Sequence, residues 1–249
     1  MKKGIVALIV SAAVCATTFM PPANAEAAGM SVGASTWYSE WEFESQDGST
    51  INSEWSPMYG PVVGIDFAKD WSVTTVFLTG NYKFEPSGIP MSINYRRYDS
   101  DTTLNYSIFK WLKVFGGLKY MRYDARDSGV VPPFGSADFK HYTYGPGLGL
   151  GFTLPLYESL FALANISVMR LHGKTTDNNM ADTYCIETGY NAAVSLAYYI
   201  DSMSTTLSLG WRHQYFESND RNTEGGNSKL TFSGVTLAAV YNFSLGSEE

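Results

Sequence analysis

The sequence predicts an all-β fold: a closed, antiparallel, up-and-down transmembrane β-barrel of ten strands, with eight or twelve as the alternative counts. Three observations carry this expectation. Apolar residues alternate with a period of two along most of the chain. The connections between the alternating segments are short and long by turns. One face of these segments is greasy and ends in tyrosines, while the other is small or polar. Aromatic residues make up 15% of the chain, 17 of them tyrosines, and nothing beyond the first residues reads as a membrane helix.

The N-terminus reads as an export signal. Lys2 and Lys3 precede a mostly apolar stretch from Gly4 to Met20, and Ala23-Asn24-Ala25 supplies a small-residue cleavage site. The apolar stretch is short for a spanning helix. Residues 1–25 are therefore expected to be a cleaved signal peptide, and 26–249 the barrel domain.

Ten strands follow in order: 30–43, 58–68, 71–84, 92–109, 113–125, 141–154, 159–171, 184–200, 204–217 and 230–243. The segment 184–200 shows why they are strands. Tyr184, Ile186, Tyr190, Val194, Leu196 and Tyr198 share one face over a length at which a helix would scramble the alternation. Short joints fall at Ala68 to Asp70, Lys110 to Leu112, Pro155 to Glu158 and Asp201 to Met203. The joints at 44–57, 85–91, 126–140, 172–183 and 218–229 are longer and rich in Gly, Ser, Asn and Asp, as solvated loops are.

The segment 141–156 places the sheet in a bilayer. Tyr142, Tyr144, Leu148, Leu150 and Phe152 alternate with Gly145, Gly147, Gly149 and Gly151. A soluble sheet has no use for a tyrosine-bounded apolar face backed by bare glycine. A barrel in lipid does: aliphatic residues face the acyl chains, aromatics sit at the interfaces, and small residues line the lumen. Closure satisfies every backbone group without water.

The last strand, "TLAAVYNF", resembles the C-terminal assembly signal of bacterial outer-membrane β-barrel proteins. Thr236, Ala238, Tyr241 and Phe243 fall at its polar, small and two aromatic positions, although Ala238 stands where glycine is usual and SLGSEE follows. The resemblance implies location in the cell outer membrane. Its partners would be outer-membrane lipid, periplasmic chaperones and the barrel-assembly machinery.

Charge and cysteine exclude other classes. The formal net charge is −7, a poor basis for binding nucleic acid. After the leader only Cys185 remains, so no intramolecular disulfide forms. His141, His172 and His213 show no metal-ligand spacing, and neither a metal nor a cofactor is expected. The glycines at 145–151 do not complete a dinucleotide fingerprint and lie within a strand.

Turning the apolar residues of each strand outward leaves Asp66, Lys83, Arg97, Asp99, Asp101, Lys119, Glu187 and Arg212 in the lumen with the four glycines. A hairpin centred near residue 111 sets Lys119 opposite Thr103, one step from Asp101, so a Lys119–Asp101 pair is expected. The first strand leaves its faces open, with Trp37, Trp41 and Phe43 on one side and Tyr38, Glu40, Glu42 and Glu44 on the other. On the adjacent strand, Phe161, Leu163 and Met169 are candidates to fill the space beside the glycines.

The expected function is a narrow porin-like channel for ions and small solutes, or a purely structural barrel, and not an enzyme. Two alternatives come from other classes. Omptin proteases are ten-stranded outer-membrane barrels with acidic and Asp-His pairs at the outer rim. Asp99-Ser100-Asp101 has the acidic spacing, but no Asp-x-His accompanies it. The second alternative is a surface adhesin acting through the long outer loops.

Overall fold

The structure, a computed structural model, describes residues 29–85, 92–126, 139–177, 180–220 and 227–244. The leader expected at 1–25 lies outside them. Among the described residues there are eleven strands: β1 (Gly29–Glu44), β2 (Thr50–Asn52), β3 (Ser56–Ala68), β4 (Trp71–Phe84), β5 (Ile93–Phe109), β6 (Leu112–Arg126), β7 (Phe139–Tyr157), β8 (Leu160–Asp177), β9 (Met180–Ile200), β10 (Thr205–Asp220) and β11 (Ser228–Ser244). All but β2 are staves of the barrel, and each lies where the alternation placed a strand. The unexpected β2 is a short flap that pairs only with the outer end of β1.

Every stave is antiparallel to its chain neighbour, and β11 pairs with β1 from Gly29↔Ser244 to Glu44↔Lys229. The ring of ten staves therefore closes on itself. Short turns join Ala68 to Trp71, Phe109 to Leu112 and Tyr157 to Leu160. A single 3-10 turn over Asp201–Met203 leads into β10 through Ser204, whose φ of 47° ends the turn. These connections share the end that holds both strand termini; at the other end β1 leads through β2 to β3, and the long joint expected at 172–183 is instead largely strand, since β8 runs to Asp177 and β9 begins at Met180. Among the described residues, no helix is long and apolar enough to cross a membrane.

The exterior carries a belt of exposed aliphatics, including Leu118, Leu148, Val168, Val194, Leu209 and Leu237. Tyr59, Tyr120, Tyr144 and Tyr190 rim it toward the long loops. Trp71, Tyr106, Tyr157, Tyr198 and Tyr241 rim it toward the short turns. This is the girdled surface that a barrel turns to lipid.

The hydrophobic core sits inside the barrel. Trp37, Trp41, Met58, Leu78, Tyr82, Phe84, Met121, Tyr123, Leu171, Phe216 and Phe232 are buried there together. This core settles the open faces of β1: Trp37 and Trp41 point inward, and Tyr38 points out. It also corrects the facing of β4. Leu78, Tyr82 and Phe84 are buried on the lumen side, with Leu78 opposite Asp99 and Gly80 opposite Arg97. Lys83 therefore lies in the outward phase, near the outer end, where it bonds Glu54 and Glu85. In the outer half of β4, Leu78, Tyr82 and Phe84 mark the core rather than lipid.

Candidate functional site in the lumen

Two strands fix the centre of the lumen. In the ring of ten staves β5 and β10 stand five apart, so they face each other across it. From β5 come Arg97, Asp99 and Asp101; β6 adds Lys119; β10 adds Arg212 and Gln214. Arg97 bonds Asp99 and, at 2.8 Å, the Gln214 carbonyl oxygen. Lys119 donates to Asp99 and to Asp101, each at 2.9 Å. Arg212 closes the chain on Asp101 at 2.6 Å and on Asn191 at 2.8 Å. A continuous polar bridge thus spans the barrel's width.

The expected Lys119–Asp101 pair forms, but in a different register. Lys119 lies directly opposite Asp101, because the turn is centred on Lys110-Trp111 and an irregularity follows between Ser107 and Phe109. Asp99 and Asp101 do not form an open acidic pair at the rim. Asp99 is fully buried between two cations, and Asp101 sits deeper, between Lys119 and Arg212.

Aromatic rings cap the bridge on its outer side. The Arg97 guanidinium lies 3.6 Å from the Phe232 ring centroid and 5.2 Å from that of Trp37. Cation–π attraction is strengthened where water is excluded. Trp41 packs on Tyr82, Phe84, Tyr123 and Phe232 at centroid distances of 4.9–5.8 Å. Arg97, Trp37, Tyr82, Phe232 and Gln214 have no solvent exposure, so side chains fill the lumen at this depth.

On the short-turn side of the bridge lies a cavity of about 330 Å³, lined by Ser35, Thr74, Asn105, Lys113, Ser167, Ala193, Ser208, Thr236 and Ala238 among others. The glycines of β7 run along the lumen and are partly filled. A Cβ on Gly147 would meet Met169, one on Gly149 would meet Phe115, and one on Gly151 would meet Lys113. Gly145, opposite Lys119, lies against the backbone of β8 instead. Asp66 occupies the lumen phase at the short-turn mouth and is exposed. Of the assembly-signal residues, Thr236 and Ala238 face the cavity, and Tyr241 and Phe243 form a ring pair 5.8 Å apart in the outward phase.

Nearer the outer rim, Glu187 is completely buried. It lies beside His141, whose Nε2 is 2.8 Å from Glu187 Oε1 and whose Nδ1 is 2.7 Å from Thr175 Oγ1. Cys185 lies two residues before Glu187 on the same face of β9. His141 is on β7, and β8 runs between them. Gly173 of β8, opposite Cys185, leaves the gap through which the two sides meet. Apart from the Cys185-x-Glu187 spacing, the sequence gives no sign of this group, because His141 comes from a strand that does not pair with β9. Above the belt, Lys174–Asp182 and Lys229–Glu44 tie neighbouring strands at 2.6 and 2.7 Å. The hydrogen bond to its carboxylate raises each lysine's pKa.

No protein-family model matches the chain, and no curated protein matches it by sequence. Solved structures do match its fold. The outer membrane protease OmpT of Escherichia coli superposes with a TM-score of 0.56 at 11% identity, covering 92% of this chain and 100% of that one. The translocator domain of the autotransporter NalP from Neisseria meningitidis gives 0.50 at 9% identity, covering 97% and 98%. At such identities the likeness is one of fold. The chain has the fold of the outer-membrane β-barrels, and its girdled belt fits a place in the outer membrane.

Proposed function

We propose that this chain is a structural outer-membrane barrel with a sealed lumen rather than a porin-like channel. The observation that supports this reading is the layer at Arg97, where Arg97, Gln214, Trp37 and Phe232 have no solvent exposure and Asp99 has 1%. Closing a lumen with paired charges and rings gives a rigid barrel that keeps the permeability barrier intact. The hydrolase alternative loses its acids to this bridge. Asp99 and Asp101 hold Arg97, Lys119 and Arg212, and neither stands free to activate water. The adhesin alternative rests on loops that lie mostly outside the described residues.

Planar-bilayer conductance of the refolded chain tests the reading, with heat-modifiable gel mobility as proof of folding. The folded wild type is expected to give no discrete current steps, whereas the double variant Trp37→Ala/Phe232→Ala conducts. Reproducible steps from the wild type would return the channel reading to first place.

A further inference from the structure

We propose that His141, Cys185 and Glu187 form a binding site for a divalent transition-metal ion of borderline softness, zinc in the first instance, beneath the outer rim of the barrel. One donor atom from each residue lies within 4.8 Å of the other two. Tetrahedral zinc with nitrogen, oxygen and sulfur ligands at about 2.0–2.3 Å holds neighbouring donors roughly 3.3–3.8 Å apart. Side-chain adjustments of about 1 Å therefore bring all three donors onto one ion. Three protein ligands leave a fourth position for water.

The surroundings favour a ligand over simple polar filling. Glu187 is completely buried, yet its Oε2 has no hydrogen-bond partner among the described residues. His141 engages only Oε1. An unsatisfied buried carboxylate oxygen is costly, and a cation would satisfy it. Space is provided as well: a Cβ on Gly173 would stand 2.3 Å from Cys185 Sγ and 3.3 Å from His141 Cε1. The backbone of β8 passes beneath the cluster without a side chain to occupy it.

The second ring nitrogen of His141 is already held. Thr175 Oγ1, at 2.7 Å from Nδ1, is able to donate or accept. Without metal, the threonine hydroxyl donates to Nδ1 and the Nε2–H donates to Glu187. With metal, the hydroxyl rotates, Nδ1–H donates to it, and Nε2 presents its lone pair. Outer partners of this kind fix the tautomer of metal-bound histidines. Tyr123 stacks on the imidazole with centroids 5.8 Å apart and restrains its plane. His141 keeps 14% of its side chain exposed, which gives an ion a way in from the outer side.

The donor set selects the metal. Calcium and magnesium take oxygen ligands, which this site offers from one residue only. Thiolate with imidazole and carboxylate suits zinc and its late first-row neighbours.

The test uses the folded full chain in detergent, stripped with a chelator and titrated with Co²⁺ alone. One Co²⁺ per chain is expected, with a near-ultraviolet thiolate-to-cobalt charge-transfer band that Zn²⁺ abolishes. Cys185→Ser should lose the band while keeping the folded gel mobility. Thr175→Val, which leaves all three ligands in place, should weaken binding by about ten- to a hundredfold. If Cys185→Ser does not fold, His141→Gln decides in its place by loss of stoichiometric binding. A folded wild type that shows no charge-transfer band in excess Co²⁺, or a folded Cys185→Ser that binds as tightly as wild type, would overturn the proposal.

Discussion

From the ion-pair bridge to the outer rim, the lumen is filled by Trp37, Trp41, Tyr82, Tyr123, Phe216 and Phe232. From the same bridge to the short turns, the staves present Ser35, Thr74, Ser167, Ala193 and Ser208 around an open cavity. One set of strands thus builds two interiors. The outer half packs like the core of a soluble protein, and its central charges, Arg97, Asp99 and Lys119, are admitted as partners of one another. The short-turn half tolerates empty space, because small and hydroxyl side chains need little from their neighbours. A barrel lumen is therefore not uniformly a polar surface, and depth along the strand decides which rule applies.

The largest effect is expected where the outer half has buried charge. Asp99 is the carboxylate shared by Arg97 and Lys119, and all three have side chains at most 2% exposed. Asp99→Asn leaves two desolvated cations competing for Asp101, and removing one member of a buried charge pair costs about 3–5 kcal/mol. Asp66→Asn at the exposed short-turn mouth removes the same charge, and surface changes of this kind stay within about 0.5 kcal/mol. Urea unfolding in detergent, followed by tryptophan fluorescence, measures both. Equal losses would mean that the two halves do not differ in the way described.

A smaller effect separates two glycines of one strand. A Cβ at Gly145 would sit 2.2 Å from the Arg170 carbonyl oxygen and 2.8 Å from Leu171 Cα, backbone atoms that cannot yield alone. Gly145→Ala is expected to cost about 1–3 kcal/mol, as overpacking does. At Gly147 the nearest atom is Cγ of Met169, at 2.8 Å. Methionine is unbranched and adaptable, and Met169 borders the cavity, so it has room to turn aside. Gly147→Ala should lie close to wild type in the same unfolding measurement.

The sequence made the strands and their order readable, because alternation and turn composition act locally. It made the lumen readable where the inner face is small or charged, as on β5 and β7. On β4 it failed for a physical reason. Leu78, Tyr82 and Phe84 are as apolar as a lipid-facing set, so turning the greasy face outward put Lys83 inside. Trp37 and Trp41 on β1 posed the same ambiguity. The cluster of His141, Cys185 and Glu187 was hidden differently. It depends on a glycine of a third strand, and only the register of β7, β8 and β9 brings it together. The one local trace was the Cys185-x-Glu187 spacing, which puts both side chains on one face.

The smallest expected effect is the most direct probe of the contrast, because it adds the same kind of bulk to each half. Ser39 is completely buried in the outer half and shares a 2.5 Å hydrogen bond with the Tyr82 hydroxyl. Ser39→Val removes that bond and adds volume where none is free, so a loss of about 1–3 kcal/mol is expected. Ala193→Val adds two methyl groups at the wall of the cavity. Nothing there need move, and burying those methyls offsets the lost freedom of the larger side chain, so stability should stay within about 0.5 kcal/mol of wild type. If Ala193→Val destabilises as much as Ser39→Val, the cavity is already occupied in the membrane-embedded protein. The short-turn half would then be a filled interior, with contents other than side chains.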